Sequence, residues 1–215
     1  MNRTLDYIAN MDHGVIVFLG SGKTFKSGTM YSLLWGLPSL RERPKAFFRF
    51  PGLEDLFPEE LGAYAVEDLW EVRPGSIAVI EDANRLFPSR SSARSVDVQE
   101  WLGIISHKDI LVMLTVQNTS NTDLAFFRDQ DVVVVHKKMS PDGIQYERPE
   151  FQVSCQWANV LIDDYSRRYG VDWHVVSYVP RFGSMLILDG MVPSWYGYEQ
   201  SHALRDYRPH KEAPT

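Results

Sequence analysis

Apolar residues fall along this chain in short runs that alternate between two spacings. Val15–Leu19 is a continuous, largely β-branched run that stops at Gly20, the pattern of a strand buried on both faces. Met30, Leu33, Leu34 and Leu37 then recur at helical spacing, and Pro38 ends them. Ala46–Phe50 predicts a second strand, a helix is expected around Ala65–Glu71, and Ser76–Ile80 predicts a third strand. Val98, Trp101, Leu102 and Ile105 share a helix face, and Ile110–Val116 predicts a fourth strand. A short helix near Asp123–Arg128 leads to a fifth, Val132–His136. This alternation predicts an α/β fold: a parallel sheet covered on both faces by helices.

The texture changes after His136. Ser140-Pro141-Asp142-Gly143 is a turn signal, so a hairpin is expected from Val135 to Val153. Trp157, Val160, Leu161 and Tyr165 fit one face of a helix. Trp173–Val179 and Ser184–Leu188 predict two more strands, and a short helix is expected after Pro193. The polar tail from Pro209 (209–215) is expected to be disordered. With no linker and no repeat, residues 1–208 read as one domain, with a core over about 14–138 and a hairpin and helix extension over about 139–208.

Composition narrows the function classes. Of 215 residues, 44% are hydrophobic, enough for a sizeable core. The formal net charge of −6 argues against a protein that coats nucleic acid non-specifically, though not against a local basic channel. The single cysteine, Cys155, excludes an intrachain disulfide and a multi-cysteine metal site. The longest apolar runs are strand-sized, far short of the ~20 residues that a membrane-crossing helix needs. The N-terminus carries no basic region followed by an apolar one, so no secretory signal is visible. A soluble, intracellular protein is expected.

The first chemical signal is Gly20-Ser21-Gly22-Lys23-Thr24-Phe25-Lys26-Ser27-Gly28-Thr29, between the first strand and the first amphipathic helix. A loop there aims backbone N–H groups and a helix N-terminus at one point, which suits a phosphate chain. A lysine adds a full charge at the β/γ-phosphates, and a hydroxyl ligates magnesium. Two registers are open. Lys23-Thr24 completes the letters GSGKT, but then the first glycine of GxxxxGK[ST] falls on Val17, inside the strand. Starting at Gly20 places Lys26-Ser27 at the lysine and hydroxyl positions and puts Phe25 where a second glycine is expected. We take the second register, because the distance from strand to helix is set by geometry.

The third strand ends in Glu81-Asp82. Two carboxylates at the tip of a buried apolar strand are costly unless something cationic pairs with them. Magnesium-nucleotide would do so. Glu81 would orient the metal, and Asp82 would polarise the attacking water. Gln117 ends the fourth strand. If that strand lies between the first and third, its amide points between the loop and the carboxylates, where it can hydrogen-bond the γ-phosphate or the water.

Glu81-Asp82-Ala83-Asn84-Arg85-Leu86-Phe87-Pro88-Ser89-Arg90 resembles the Asp-Glu-Ala-x-Arg-x-Phe-Pro-x-Arg pattern of the HerA/FtsK branch of P-loop ATPases, with the first two residues exchanged. Met113-Leu114-Thr115-Val116-Gln117 is similar to that branch's strand ending in Thr-x-Gln. Pro193-Ser194-Trp195-Tyr196, followed by Ser201, resembles a C-terminal Pro-x-Trp-Trp…Ser element of Zot-like and viral genome-packaging ATPases. The resemblance covers most of Val15 to Arg205. It implies a RecA-like (ASCE) P-loop fold and an ATPase using ATP and Mg²⁺, with Ser27 and Glu81 at the metal.

Zot-like proteins carry a membrane span and this sequence shows none, which turns the resemblance toward packaging of a viral double-stranded DNA genome. That implies a homo-oligomeric ring, a hexamer or pentamer, with a capsid or membrane protein at the packaging vertex, in the cytoplasm of an infected host or on the virion. A secretion, conjugation or assembly ATPase, or a hydrolysis-poor assembly protein, is the alternative. Such rings complete the site with a neighbour's arginine. Arg94 is the first choice, since Ser89–Ser95 reads as a loop, with Arg90 and Arg128 also near the nucleotide edge. His136-Lys137-Lys138 is expected either to face a DNA channel or to be a solvated charged hairpin.

Overall fold

In the computed structural model of the chain, the described residues are 2–50, 52, 56–89, 92–128, 131–171, 176–188 and 193–204, of which 92–96 are described by their backbone only. The strands are β1 (Gly14–Leu19), β2 (Lys45–Phe48), β3 (Ala63–Val66), β4 (Ile77–Ile80), β5 (Leu111–Val116), β6 (Val132–His136), β7 (Val176–Val179) and β8 (Ser184–Ile187). They form one sheet in the order β3-β2-β4-β5-β1-β6-β7-β8. The first six in that order run parallel, while β7 and β8 add an antiparallel edge.

The α-helices are α1 (Arg3–Ala9), α2 (Lys26–Gly36), α3 (Pro38–Arg41), α4 (Ala83–Leu86), α5 (Ser92–Ile104), α6 (Pro141–Gln145), α7 (Pro149–Tyr169) and α8 (Tyr198–His202). Alternate residues of each inner strand enter opposite cores, as the two-residue repeat of a strand requires. Val15, Val17 and Leu19 pack with Val98, Trp101 and Phe126 on one face. Ile16 and Phe18 pack with Met30, Tyr31, Leu33 and Leu34 on the other. This two-sided burial is why the inner strands read as unbroken apolar runs.

β5 is inserted between β1 and β4, with Leu19 level with Val116 and Ile80 level with Leu114. The β1, β4 and β5 ends that carry Gly20, Glu81 and Gln117 are therefore neighbours on one edge. Ligand sites of open parallel sheets lie at this carboxyl edge.

Four expectations are corrected. The helix expected around Ala65–Glu71 is the strand β3 followed by a 3₁₀ turn at Leu69–Glu71. β2 offers a free edge that Ala63–Val66 pairs, and an Asp68/Glu71 capping box then fixes the turn. The expected hairpin from Val135 to Val153 is absent: Ser140 caps α6 and Pro149 opens α7. Ser-Pro-Asp serves a helix N-terminus as well as a turn, because a serine cap and proline at the first helical position satisfy the same backbone geometry.

The buried face of α7 is Cys155, Ala158 and Ile162, whereas Trp157 and Val160 are each 59% exposed. The supposed loop at Ser89–Ser95 is helical from Ser92, in α5. Arg94 thus lies on a helix with its side chain outside the described residues, as does Arg90 entirely. Trp173–Val175 of the expected strand Trp173–Val179 and the tail from Pro209 also lie outside them. Among the described residues no helix is long and apolar enough to cross a membrane.

Candidate functional site

Gly20 leaves β1 with its N–H bonded to Val116 O of β5, and α2 begins at Lys26 without a side-chain cap. The first N–H groups of α2 have no carbonyl of their own helix to bond. Such a helix start favours an anion. The loop is held from behind by Ser21 N–H donating to Lys138 O at 3.2 Å and by Ser140 N–H donating to Ser21 Oγ at 2.8 Å.

The two candidate lysines are placed very differently. Lys23 is exposed, on a residue with φ 62°. Lys26 is 7% exposed and donates from Nζ to Ser21 O at 2.8 Å, inside the loop. Burial lowers its pKa to about 8, against the opposing pull of Asp82 and Glu81. Thr24 also turns inward, its Oγ1 donating to Ser21 O at 2.8 Å.

Ser27 Oγ donates to Glu81 Oε2 at 2.6 Å, and Thr115 Oγ1 donates to the same oxygen at 3.1 Å. Glu81 is 7% exposed, and burial pushes its carboxyl pKa up, with the hydrogen bonds from Ser27 opposing this. Asp82 lies at the rim. Its N–H donates to Thr115 Oγ1 at 2.9 Å, and Gln117 Nε2 sits 3.5 Å from its Oδ1. Thr115 thus orients both acidic residues, a role that sequence reading gave to none of its parts beyond the Thr-x-Gln resemblance.

Among the described residues five non-glycine positions have positive φ, and Lys23, Phe25 and Asp82 of this site are three of them. Each left-handed residue costs on the order of 1–3 kcal/mol, so strain is concentrated where the loop and carboxylates meet.

Phe25, standing where a glycine is expected, takes φ 63°, ψ 35°, the conformation a glycine would adopt there. Gly28 makes this possible: a Cβ on Gly28 would lie 2.3 Å from the Phe25 ring. The ring is held from above by Tyr196, centroid to centroid 5.7 Å. Gly28→Ala is therefore expected to destabilise the fold by about 1–3 kcal/mol, as overpacking does. Phe25→Gly should recover much of this in the double variant, since the two sites share one space. Thermal melts of the two single variants and the double would measure the coupling, and strict additivity would refute it.

The C-terminal segment closes the site, which sequence reading signalled only through Pro193–Tyr196 and Ser201. Trp195 packs edge-on against Tyr31, Trp35 and Phe57, and Gln200 Nε2 donates to Leu56 O at 2.6 Å. Tyr196 and Gln200 then line, with Lys26, Ser27, Glu81 and Gln117, a cavity of about 530 Å³. Burial, followed by the charge of Glu81, raises the Tyr196 hydroxyl pKa.

The arrangement fits a magnesium-bound triphosphate. Buried Lys26 and the helix start supply positive potential, Ser27 and Glu81 supply one hydroxyl and one carboxylate, and Asp82 and Gln117 face the open end. Such metals sit on one or two protein oxygens plus phosphate oxygens. Among the described residues no group of three or more His, Cys, Asp or Glu side chains forms a separate metal site.

Two residues of the basic stretch are drawn into the core instead of forming a charged surface. His136 and Lys137 are each 1% exposed, and a Cβ on Gly20 would lie 2.7 Å from Lys137 Cβ, so Lys137 packs behind the loop. Lys138 Nζ pairs with Asp163 at 2.6 Å. These residues follow a strand buried beside β1, so their chain is drawn into the core rather than outward. Arg128 is exposed.

No protein-family model matches the chain, and no curated protein sequence matches it. Solved structures do. The genome packaging NTPase B204 from Sulfolobus turreted icosahedral virus 2, in complex with sulfate, superposes with a TM-score of 0.53 at 12% identity, over 81% of this chain and 94% of that one. The same protein in complex with ATP-gammaS gives 0.52 at 11% identity, over 82% and 96%. B204, the DNA-packaging ATPase from Sulfolobus turreted icosahedral virus, gives 0.52 at 13% identity, over 82% and 96%. The chain thus resembles these viral packaging proteins in fold, an open, mostly parallel sheet flanked by helices.

Proposed function

We propose that this chain is a magnesium-dependent ATPase that drives double-stranded DNA into a viral particle as a homo-oligomeric ring. The observation that carries the ATPase reading is the 2.6 Å contact of Ser27 with Glu81, beside a lysine buried in the loop. Lys26 would leave the Ser21 carbonyl for the β/γ-phosphates, and the α2 N–H groups would hold the remaining phosphate oxygens. Ser27 would ligate magnesium, with Glu81 holding its water shell; the ion supplies charge neutralisation on the phosphates. Asp82 accepts a proton from the attacking water, and Gln117 orients that water. The packaging part of the reading is supported by the likeness to the two B204 proteins, which are described as packaging NTPase and DNA-packaging ATPase.

The test is turnover of ATP with and without magnesium, with and without double-stranded DNA, over a range of protein concentration. Expected are magnesium-dependent hydrolysis, stimulation by DNA, and a rate per subunit that rises with concentration as the ring closes. ATP binding without hydrolysis would replace the motor with a nucleotide-binding assembly protein. The exchanged order of Glu81 and Asp82, with the shorter carboxylate at the water, favours that second reading.

A further inference from the structure

One peptide unit beyond Gln117 is gripped from all sides. Thr119 is fully buried, and its N–H donates to both oxygens of the Glu147 carboxylate, at 3.0 and 3.1 Å. Its hydroxyl donates to Glu147 Oε2 as well. Its carbonyl accepts from Arg148 Nε at 3.0 Å, and Arg148 Nη2 reaches on to Thr122 O at 3.2 Å. Every polar atom of Thr119 is thus held by two consecutive residues at the junction of α6 and α7. Asn118 adds a bond to Gly143 O at 3.4 Å.

The same segment also touches the phosphate loop. Lys138 O and Ser140 N–H bond Ser21, while Asn159 of α7 takes both Met139 N–H and Met139 O, at 2.9 and 2.6 Å. Residues 138–148 therefore brace two of the three chain ends that make the site. Burying a carboxylate is costly unless hydrogen-bonded donors face it, and here the donors come from the loop that carries Gln117. Glu147 lies 4% exposed and outside the cavity around Lys26. It has no place in the roles assigned above.

We propose that Glu147 and Arg148 are positioning residues for hydrolysis: by clamping Thr119 they hold Gln117 against Asp82. The proposal rests on the ATPase reading. Phosphate binding at Lys26 and Ser27 does not depend on the clamp. Orientation of the attacking water does, because a displacement of about 1 Å at a reacting group can cost on the order of 10²-fold in rate.

The experiment measures steady-state ATP hydrolysis, affinity for a non-hydrolysable ATP analogue, and amide hydrogen exchange in the full chain. Glu147→Ala should lower kcat by about tenfold to 10²-fold while KM and analogue affinity stay within about twofold. Glu147→Gln should restore most of kcat, since its carbonyl still accepts from the Thr119 N–H. Should Glu147→Ala not fold, Arg148→Ala, which leaves that N–H held, should show the same split of kcat from KM. An unchanged kcat, or equal losses in kcat and analogue affinity, would overturn the clamp. If the wild type binds ATP without turnover, the ATPase reading fails separately. The clamp is then read by exchange: the Thr119 amide should exchange about tenfold faster in Glu147→Ala, and unchanged exchange would overturn it.

Discussion

Lys26→Ala should leave the sheet intact and reduce ATP affinity by roughly 10²-fold or more. The reason is the placing of the charge. Lys26 is buried in the loop, and loss of one partner of a buried charge pair costs several kcal/mol, at about 1.4 kcal/mol per factor of ten. Lys23→Ala should do far less, because an exposed ammonium at the rim is screened by water. Isothermal titration with ATP would separate the two registers. A silent Lys26→Ala with a damaging Lys23→Ala would move the phosphate lysine to Lys23.

The same burial gives a pH dependence with a definite sign. Lys26 in the free protein titrates at about 8, so above that pH it is increasingly neutral. The phosphate chain binds the charged form, so binding must take up a proton there. ATP affinity should therefore fall as pH rises above about 8, and proton uptake should appear in buffers of different ionisation enthalpy.

The second large effect is expected at Asp82. Asp82→Asn should retain ATP binding and slow turnover by roughly 10²-fold or more, as for a lost general base. The amide keeps the shape and the contact with Gln117 but cannot accept the proton. Glu81→Gln should act differently. Glu81 is buried against Ser27 and Thr115, so its substitution should raise the magnesium concentration needed for activity. Single-turnover hydrolysis with saturating magnesium would distinguish them. Full turnover in Asp82→Asn would transfer the base role to Glu81.

Much of the core was legible because two-sided burial leaves a mark in the sequence. Val15–Leu19 and Ile110–Val116 are apolar throughout, and they form the β1–β5 pair at the centre of the sheet. Gly20–Thr29, Glu81-Asp82 and Gln117 were legible because each breaks an apolar run with groups that are costly to leave there. The extension after His136 was not. Ser140-Pro141-Asp142-Gly143 fits a turn and a helix cap alike, and only the packing of α7 on β7 separates the two.

The sequence by itself determined the inner strands, the Gly20–Thr29 loop between strand and helix, and the acidic strand tip, because periodicity and polarity act locally. Only the tertiary structure decided that β5 lies between β1 and β4, so that three loops far apart in the chain converge. It alone decided that Lys26 is buried while Lys23 is exposed, since burial depends on where α2 starts relative to β1. Lys137 was misread for the same reason: its charge is plain in the sequence, but its contact with Gly20 exists only once β6 lies beside β1. The grip of Glu147 and Arg148 on Thr119 spans nearly thirty residues, and no local pattern encodes a hydrogen bond over that separation.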